Sequence, residues 1–145
     1  MKRGFTLLEL IIVVIILGVL ATLGFQQYAR AIERSRGAEG RTIIGQVRTA
    51  AVAFYTERNS LDAFNNTTAG IGTGADQIPL APCRATHYFT YAVDDAATSG
   101  DVLRVVATRC TATNGKQPGA SAAFTLQLDS DFSLGTDTWT GTGGY

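Results

Sequence analysis

The hydrophobic positions of this chain are concentrated in one block near its start. Between residues 5 and 25, 16 of the 21 residues are apolar and Glu9 is the only charged one. As a helix this block is roughly 30 Å long, which matches the hydrocarbon core of a bilayer. A cleaved secretory signal has a shorter apolar region that ends in small residues, whereas this block runs on to Phe25 and into polar, helix-compatible residues. The pattern therefore predicts a membrane-spanning helix that the protein keeps.

A helical pattern continues beyond this block, through residues 26–58. Apolar residues recur there at helical spacing and form a stripe. The stripe consists of Ile43, Val47, Ala50 and Phe54, widened by Ile44 and Ala51. Glycine is unfavourable inside a helix. Either close approach to another helix or a locally less stable helix explains Gly37, Gly40 and Gly45. Because no proline precedes Pro79 and Asn59 begins a typical stop signal, we predict one helix from Phe5 to about Arg58, roughly 80 Å long.

The rest of the chain has the pattern of a small β-sheet domain. Three strands are predicted at residues 86–93, 101–110 and 122–128, a short fourth strand at 132–134, and turns at 99–101, 114–116 and 129–131. Residues 59–84 lack clear periodicity and are predicted to form a surface loop. Because no crossover helices separate the strands, we expect an antiparallel sheet laid on the helix. The predicted fold class is α+β, with residues 59–145 as the globular head.

Charge divides the chain into a basic middle and an acidic head. The formal net charge is zero, from 12 basic and 12 acidic residues. Residues 26–58 carry six Arg against three Glu, whereas residues 59–145 carry four basic residues against eight Asp. This polarity suits membrane headgroups or neighbouring copies, and it lacks the concentrated basic face of a nucleic-acid-binding protein. We therefore expect no specific nucleic-acid partner.

Glu9 is anomalous in the apolar block. A carboxylate within a membrane span costs roughly 2.5 kcal/mol or more unless it is paired. Two interpretations of the residue stay open. The side chain either reaches the membrane interface or pairs with a buried cation, of which the amino terminus of an adjacent copy is the simplest.

The start of the chain carries a family resemblance. Gly4-Phe5-Thr6-Leu7-Leu8-Glu9, followed by the apolar run, resembles the processing signature of type IV pilins and the related pseudopilins, and Met1-Lys2-Arg3 resembles their short basic leader. In that family a membrane peptidase cuts between the residues that match Gly4 and Phe5 and methylates the new amino terminus. The resemblance therefore implies a leader at residues 1–4, and Phe5 and Glu9 as assembly residues. Many pilins have a helix-kinking proline where this chain has Gln26.

The resemblance implies a structural role rather than an enzymatic one. The chain is expected to be a subunit of a type IV pilus-like filament, a homopolymer joined through its apolar helices at residues 5–25. Implied partners are prepilin peptidase and a pilus assembly platform in the inner membrane. The subunit is expected in the bacterial inner membrane before assembly, with its head on the periplasmic side, and in an extracellular filament afterwards. Adhesion, motility and DNA uptake are filament properties among which the sequence does not choose.

Two alternatives remain at this stage. The first alternative, within the same family, is that the chain is a major pseudopilin of a type II secretion system or of a competence-type pseudopilus. The second alternative, from a different functional class, is an enzyme or binding domain anchored by a single span that never polymerises. The leader-like junction between Gly4 and Phe5, together with Glu9, argues against a plain anchor, because an anchor needs neither feature.

Cys83 and Cys110 flank the first two predicted strands. Behind a membrane anchor, a pair of cysteines indicates an oxidising compartment, and we expect a disulfide that stabilises the head by about 3–4 kcal/mol. Buried free thiols are the main alternative, since the Cys-x-x-Cys spacing of a redox pair is missing. A disulfide would also place the head outside the cell membrane.

The sequence contains no arrangement of residues typical of catalysis. His87, the only histidine, lies in an aromatic strand and is expected to pack there or to sit at the surface. Asp129, Asp131 and Asp137 are weak candidates for binding Ca²⁺, a ligand that major pseudopilins hold in a C-terminal loop. Their spacing does not match an EF-hand, and a solvated turn is the default interpretation. We therefore expect no enzyme activity, no cofactor and no firmly held metal.

Overall fold

The computed structural model describes residues 6–111, 115–116 and 123–143. Within them, one long helix is followed by six strands that form a two-stranded and a four-stranded sheet. The elements are α1 (Leu7–Arg58), β1 (Ile71–Gly72), β2 (Ile78–Pro79), β3 (Phe89–Val93), β4 (Val102–Arg109), β5 (Thr125–Asp131) and β6 (Thr136–Gly141). The predicted α+β class is confirmed.

Helix α1 is continuous and passes through Gln26 without a break. Its 52 residues correspond to about 78 Å. Thr6 caps the start of the helix, and Asn59 ends it in the left-handed conformation, at φ 53° and ψ 28°. The predicted stop at Asn59 is confirmed, whereas the predicted start at Phe5 lies outside the described residues.

The four-stranded sheet is antiparallel throughout, in the order β3-β4-β5-β6. Alternation along β4 buries Leu103, Val105 and Ala107 completely, while the residues between them are half-covered or exposed. In β5, Leu128 and Leu126 lie opposite Val105 and Ala107 and are also fully buried. One face of the sheet thus forms the core with α1, and the other faces solvent.

The last part of the sheet differs from the prediction. Strand β5 extends through Asp131, so the predicted turn at 129–131 is wrong. The fourth long strand is β6, and residues 132–134 belong to the turn that precedes it. All six residues of β6 are exposed at the sheet edge. Because no residue of β6 is buried, its sequence lacks the alternation of apolar and polar residues by which a strand is recognised. The predicted loop at 59–84 also contains β1 and β2, which pair in parallel.

The helix face that lies on the sheet is rotated from the predicted stripe. Ile44, Val47 and Ala51 are fully buried, whereas Ile43, Ala50 and Phe54 are partly buried. Gly40 is buried as well, and a Cβ atom at this position would lie 3.3 Å from Leu126 and 3.7 Å from Phe89. The absence of a side chain at Gly40 therefore permits close approach between helix and sheet, where the sequence had favoured a helix–helix contact or looseness.

Candidate functional site

The first half of α1 is an exposed apolar surface. Every residue from 6 to 31 is exposed, including Leu7 at 75% and Phe25 at 74%. By its length and apolar composition, α1 can cross a membrane, and its most apolar part is not buried in the protein. A continuous apolar surface of this kind marks a contact with lipid or with another protein surface.

Glu9 lies at the start of this surface and takes part in a capping box with Thr6. The backbone N–H and the hydroxyl of Thr6 donate to Glu9 Oε2 at 3.2 and 2.9 Å, and the backbone N–H of Glu9 donates to Thr6 Oγ1 at 3.3 Å. The sequence reasoning missed this contact, although Thr-x-x-Glu before an apolar run is its usual signature. The Gly4–Phe5 junction lies outside the described residues, so a pairing between Glu9 and the Phe5 amine stays a prediction.

The second half of α1 is joined to the head by a buried arginine on β4. The Arg109 side chain is fully buried, and its Nε lies 3.3 Å from Glu33 Oε2 on the helix. Its Nη1 donates to the carbonyl oxygens of Tyr88 and Cys110 at 3.1 and 3.0 Å. Glu33 also pairs with Arg36 through its other oxygen. A charge taken out of water requires such compensation, so this cluster fixes how the helix leaves the head.

A second contact at the same junction involves Glu39 and Tyr88. Glu39 accepts a hydrogen bond from the Tyr88 backbone N–H at 2.8 Å and lies 3.7 Å from Lys116 Nζ. The Tyr88 ring is contacted by three cations, with Lys116 Nζ 4.7 Å from its centroid. Burial, together with the nearby charge of Glu39, raises the pKa of Tyr91 far above its ordinary value, so this phenol stays neutral.

The far side of the sheet is held to the helix through Asp137 on β6. Its Oδ1 accepts hydrogen bonds from Arg48 Nε at 2.9 Å and from the Ser130 hydroxyl at 2.5 Å. Partial burial raises the pKa of Asp137, but these two hydrogen bonds outweigh it and the net pKa lies below the ordinary value. Arg41 lies 5.3 Å from the centroid of the Trp139 ring. An edge strand with no buried residue is thus attached to α1 by polar and cation–π contacts.

The structure does not bring the three candidate calcium ligands together. Asp129 accepts from Arg104 Nε at 2.5 Å, Asp131 accepts from residues of its own turn, and Asp137 faces α1. Within the described residues no group of three His, Cys, Asp or Glu side chains is placed to hold a metal ion. His87, the other residue considered for chemistry, contacts the hydroxyl of Thr86 at 2.8 Å.

The predicted disulfide between Cys83 and Cys110 is confirmed. The bond links two residues whose Cα atoms are 5.8 Å apart and which are separated by 27 positions. Next to it, the Arg84 guanidinium donates to the carbonyl oxygens of Gly72, Gly74 and Gln77. The covalent bond and this arginine together fix the loop that contains β1 and β2 to the end of β4.

Comparison with known proteins matches the segment that carries the exposed surface. Residues 1–25 match the family model described as the prokaryotic N-terminal methylation motif. The chain is 34% identical over 96 residues to the type IV major pilin protein PilA of Myxococcus xanthus, an alignment that covers 66% of this chain and 39% of PilA. It is 46% identical over 50 residues to the type IV major fimbrial protein FimA of Dichelobacter nodosus, covering 34% of this chain and 32% of FimA.

A third relative, a fimbrial protein of Neisseria meningitidis, is 30% identical over 76 residues, covering 52% of this chain and 44% of the relative. The chain thus spans less than half the length of each of these relatives. No solved structure matches the chain. By its N-terminal motif and by these relatives, the chain is similar to type IV pilins and fimbrial proteins.

Proposed function

We propose that this protein is a structural subunit of a type IV pilus-like surface filament, polymerising through the first half of α1. The observation that carries the proposal is that every residue from 6 to 31 is exposed, although most of them are apolar, whereas the head buries its own core. Burying one large aliphatic side chain stabilises an association by about 1.5–3 kcal/mol, so a helix half made of such residues supplies a strong driving force. The role is structural rather than enzymatic.

Before assembly, the same helix half spans the bacterial inner membrane, with the head on the periplasmic side. Lipid covers the apolar residues in that state, and neighbouring helices replace the lipid in the filament. The continuity of α1 supports this view, because a helix that runs unbroken into the head core transfers the whole subunit when it leaves the membrane. The finished filament is extracellular, with the helices inside and the heads outside.

Processing precedes assembly in this proposal. Prepilin peptidase cuts between Gly4 and Phe5 and methylates the Phe5 amine, after which an assembly platform in the inner membrane takes up the subunit. The new amino terminus is cationic and is four positions before Glu9 in the sequence. In an apolar environment neither charge is stable alone, so the amine of one subunit pairs with the Glu9 carboxylate of its neighbour and sets the axial register.

The experiment separates the pairing role of Glu9 from its capping role. Glu9→Leu removes both the carboxylate and the capping box, whereas Thr6→Val removes the Thr6 hydroxyl contacts and keeps the carboxylate. Loss of a cap costs about 1 kcal/mol of helix stability, which a long helix tolerates. We therefore expect Glu9→Leu to abolish filaments in sheared surface material, while Thr6→Val retains them.

Intact-mass measurement of the membrane-bound subunits serves as the control. Both variants should have lost residues 1–4 and gained one methyl group, which shows that insertion and cleavage are unchanged. Abundant filaments from Glu9→Leu cells, or equal loss in both variants, would contradict the pairing role.

A further inference from the structure

Two arginines follow the apolar segment and have no carboxylate partner among the described residues. Arg30 and Arg34 are exposed, and neither forms an ion pair with another described residue. No acidic residue occurs between positions 10 and 32. Glu33 lies within helical reach of Arg30, but its two oxygens are already engaged by Arg36 and Arg109. The two guanidinium groups are therefore a local excess of positive charge.

Their spacing makes this excess unfavourable in isolation. Arg30 and Arg34 are four residues apart and share one face of α1, where like charges repel. Residues at this spacing present their side chains to the same external surface. An anion supplied from outside the chain relieves the repulsion and pairs with both groups at once.

The depth of the two arginines matches a lipid headgroup layer. Counting from Phe25, the last residue of the apolar segment, Arg30 lies about 7.5 Å and Arg34 about 13.5 Å further along the helix axis. The headgroup region adds about 5–8 Å to each side of the hydrocarbon core. Helical side chains point towards the helix N-terminus, here towards the membrane, so the long Arg34 side chain reaches this layer as well. Tyr28 lies between Phe25 and Arg30 and is 66% exposed, and tyrosine is enriched at membrane interfaces.

We propose that Arg30 and Arg34 bind the phosphates of anionic phospholipids in the leaflet on the side of the head, and so hold the unassembled subunit at a fixed depth. The inference rests on the proposed function, because it requires α1 to span a membrane. A second copy is a weaker source of anions, since copies anchored by the same segment lie at equal depth. Their Asp residues, all from Asp62 onwards, belong to the head, and Glu57 lies at the far end of α1. Their Glu33 and Glu39 are already engaged within their own chain, Glu33 by Arg36 and Arg109 and Glu39 by the Tyr88 N–H and Lys116.

The test measures lipid selectivity of the full chain in vesicles of phosphatidylcholine. Trace spin-labelled phosphatidylglycerol and, separately, spin-labelled phosphatidylcholine report the fraction of each lipid immobilised at the protein. For the wild-type chain we expect a preference for phosphatidylglycerol of about fivefold for each engaged arginine, falling at high salt. The R30Q/R34Q variant should lose this preference.

A matched variant, R41Q/R58Q, removes the same charge further from the membrane. Arg41 lies beside the Trp139 ring of the head, and Arg58, the last residue of α1, lies 4.7 Å from the Phe54 ring centroid. This variant should keep the wild-type preference. Equal immobilisation of the two lipids by the wild-type chain, or equal losses in both double variants, would overturn the proposal.

Two further measurements complete the test. Cross-linking between copies in phosphatidylcholine vesicles should be the same for wild type and R30Q/R34Q, and a decrease confined to the variant would assign the arginines to a second copy and overturn the proposal. Flotation of the vesicles after alkaline extraction reports insertion itself. A chain that does not float contradicts the membrane stage of the proposed function as well, whereas a chain that floats without lipid preference contradicts the inference alone.

Discussion

Replacement of Arg109 by Met tests whether the buried ion pair holds α1 to the head. Methionine has a comparable length and keeps apolar contact with the Tyr88 and Phe89 rings, over which the Arg109 guanidinium now lies. The change removes the ion pair with Glu33 and the two hydrogen bonds to backbone carbonyls. It therefore isolates the polar part of the junction.

The expected loss of stability follows from the burial of the two partners. Breaking a buried ion pair costs about 3–5 kcal/mol, mostly because the remaining charge stays unpaired. Glu33 keeps its contact with Arg36, and its side chain is 22% exposed. The cost should therefore lie at the lower end, at about 3 kcal/mol.

The assay is urea unfolding of the full chain in mild detergent, followed by fluorescence of Trp139, the only tryptophan. Arg104→Met is the matched control, because Arg104 lies on the same strand but pairs with Asp129 on the solvent face, with 38% of its side chain exposed. A surface pair contributes about 0–1 kcal/mol, so the control should unfold near the wild-type midpoint. Equal destabilisation by the two variants would show that the junction has no special role and would refute the reasoning.

The remaining predictions concern the head. Cys110→Ala should lower the free energy of unfolding by about 3–4 kcal/mol, because the disulfide closes a loop of 27 positions; reductant should shift the midpoint of the wild type but not of the variant. Since the pKa of Asp137 is lowered in the folded state, its contribution to stability is present above the ordinary aspartate pKa and is lost as the pH falls through the lower, folded value. Below the ordinary aspartate pKa of 3.8, unfolding should accordingly be less pH-dependent in Asp137→Asn than in wild type, and identical profiles would exclude this contribution. Gly40→Leu should destabilise the head, because the new side chain would overlap with the sheet. Gly45→Ala has open space around its Cβ position and should stabilise the head by up to about 1 kcal/mol. Thermal melting temperatures should therefore fall in the first variant and rise in the second.

The features that the sequence predicted correctly are those that depend on local pattern. The end of α1 at Asn59 follows from a residue type that accepts the left-handed conformation. The apolar block follows from its nearly continuous run of apolar residues and the helical stripe from periodicity, although the stripe was placed slightly off the buried face. That error arose because Gly40, which lies against the sheet, carries no hydrophobic signal of its own.

The features that were missed depend on pairs of residues far apart in the chain. Glu33 and Arg109 are 76 positions apart, and nothing in either local pattern indicates that they meet. Strand β6 is likewise defined by its pairing with β5 and by the contact between Arg48 and Asp137, 89 positions apart. The Thr6–Glu9 capping box is the exception, because its local signature was available in the sequence.

The exposed position of β6 has a consequence for crowded heads. An edge strand offers unpaired backbone groups to any other strand, and sheets that meet at such edges aggregate. In β6 the Asp137 carboxylate points inwards against Arg48 and Ser130, and an inward charge at an edge is a feature that opposes edge-to-edge pairing. In the proposed filament this inward charge therefore opposes pairing between heads through β6, which favours association through the helices.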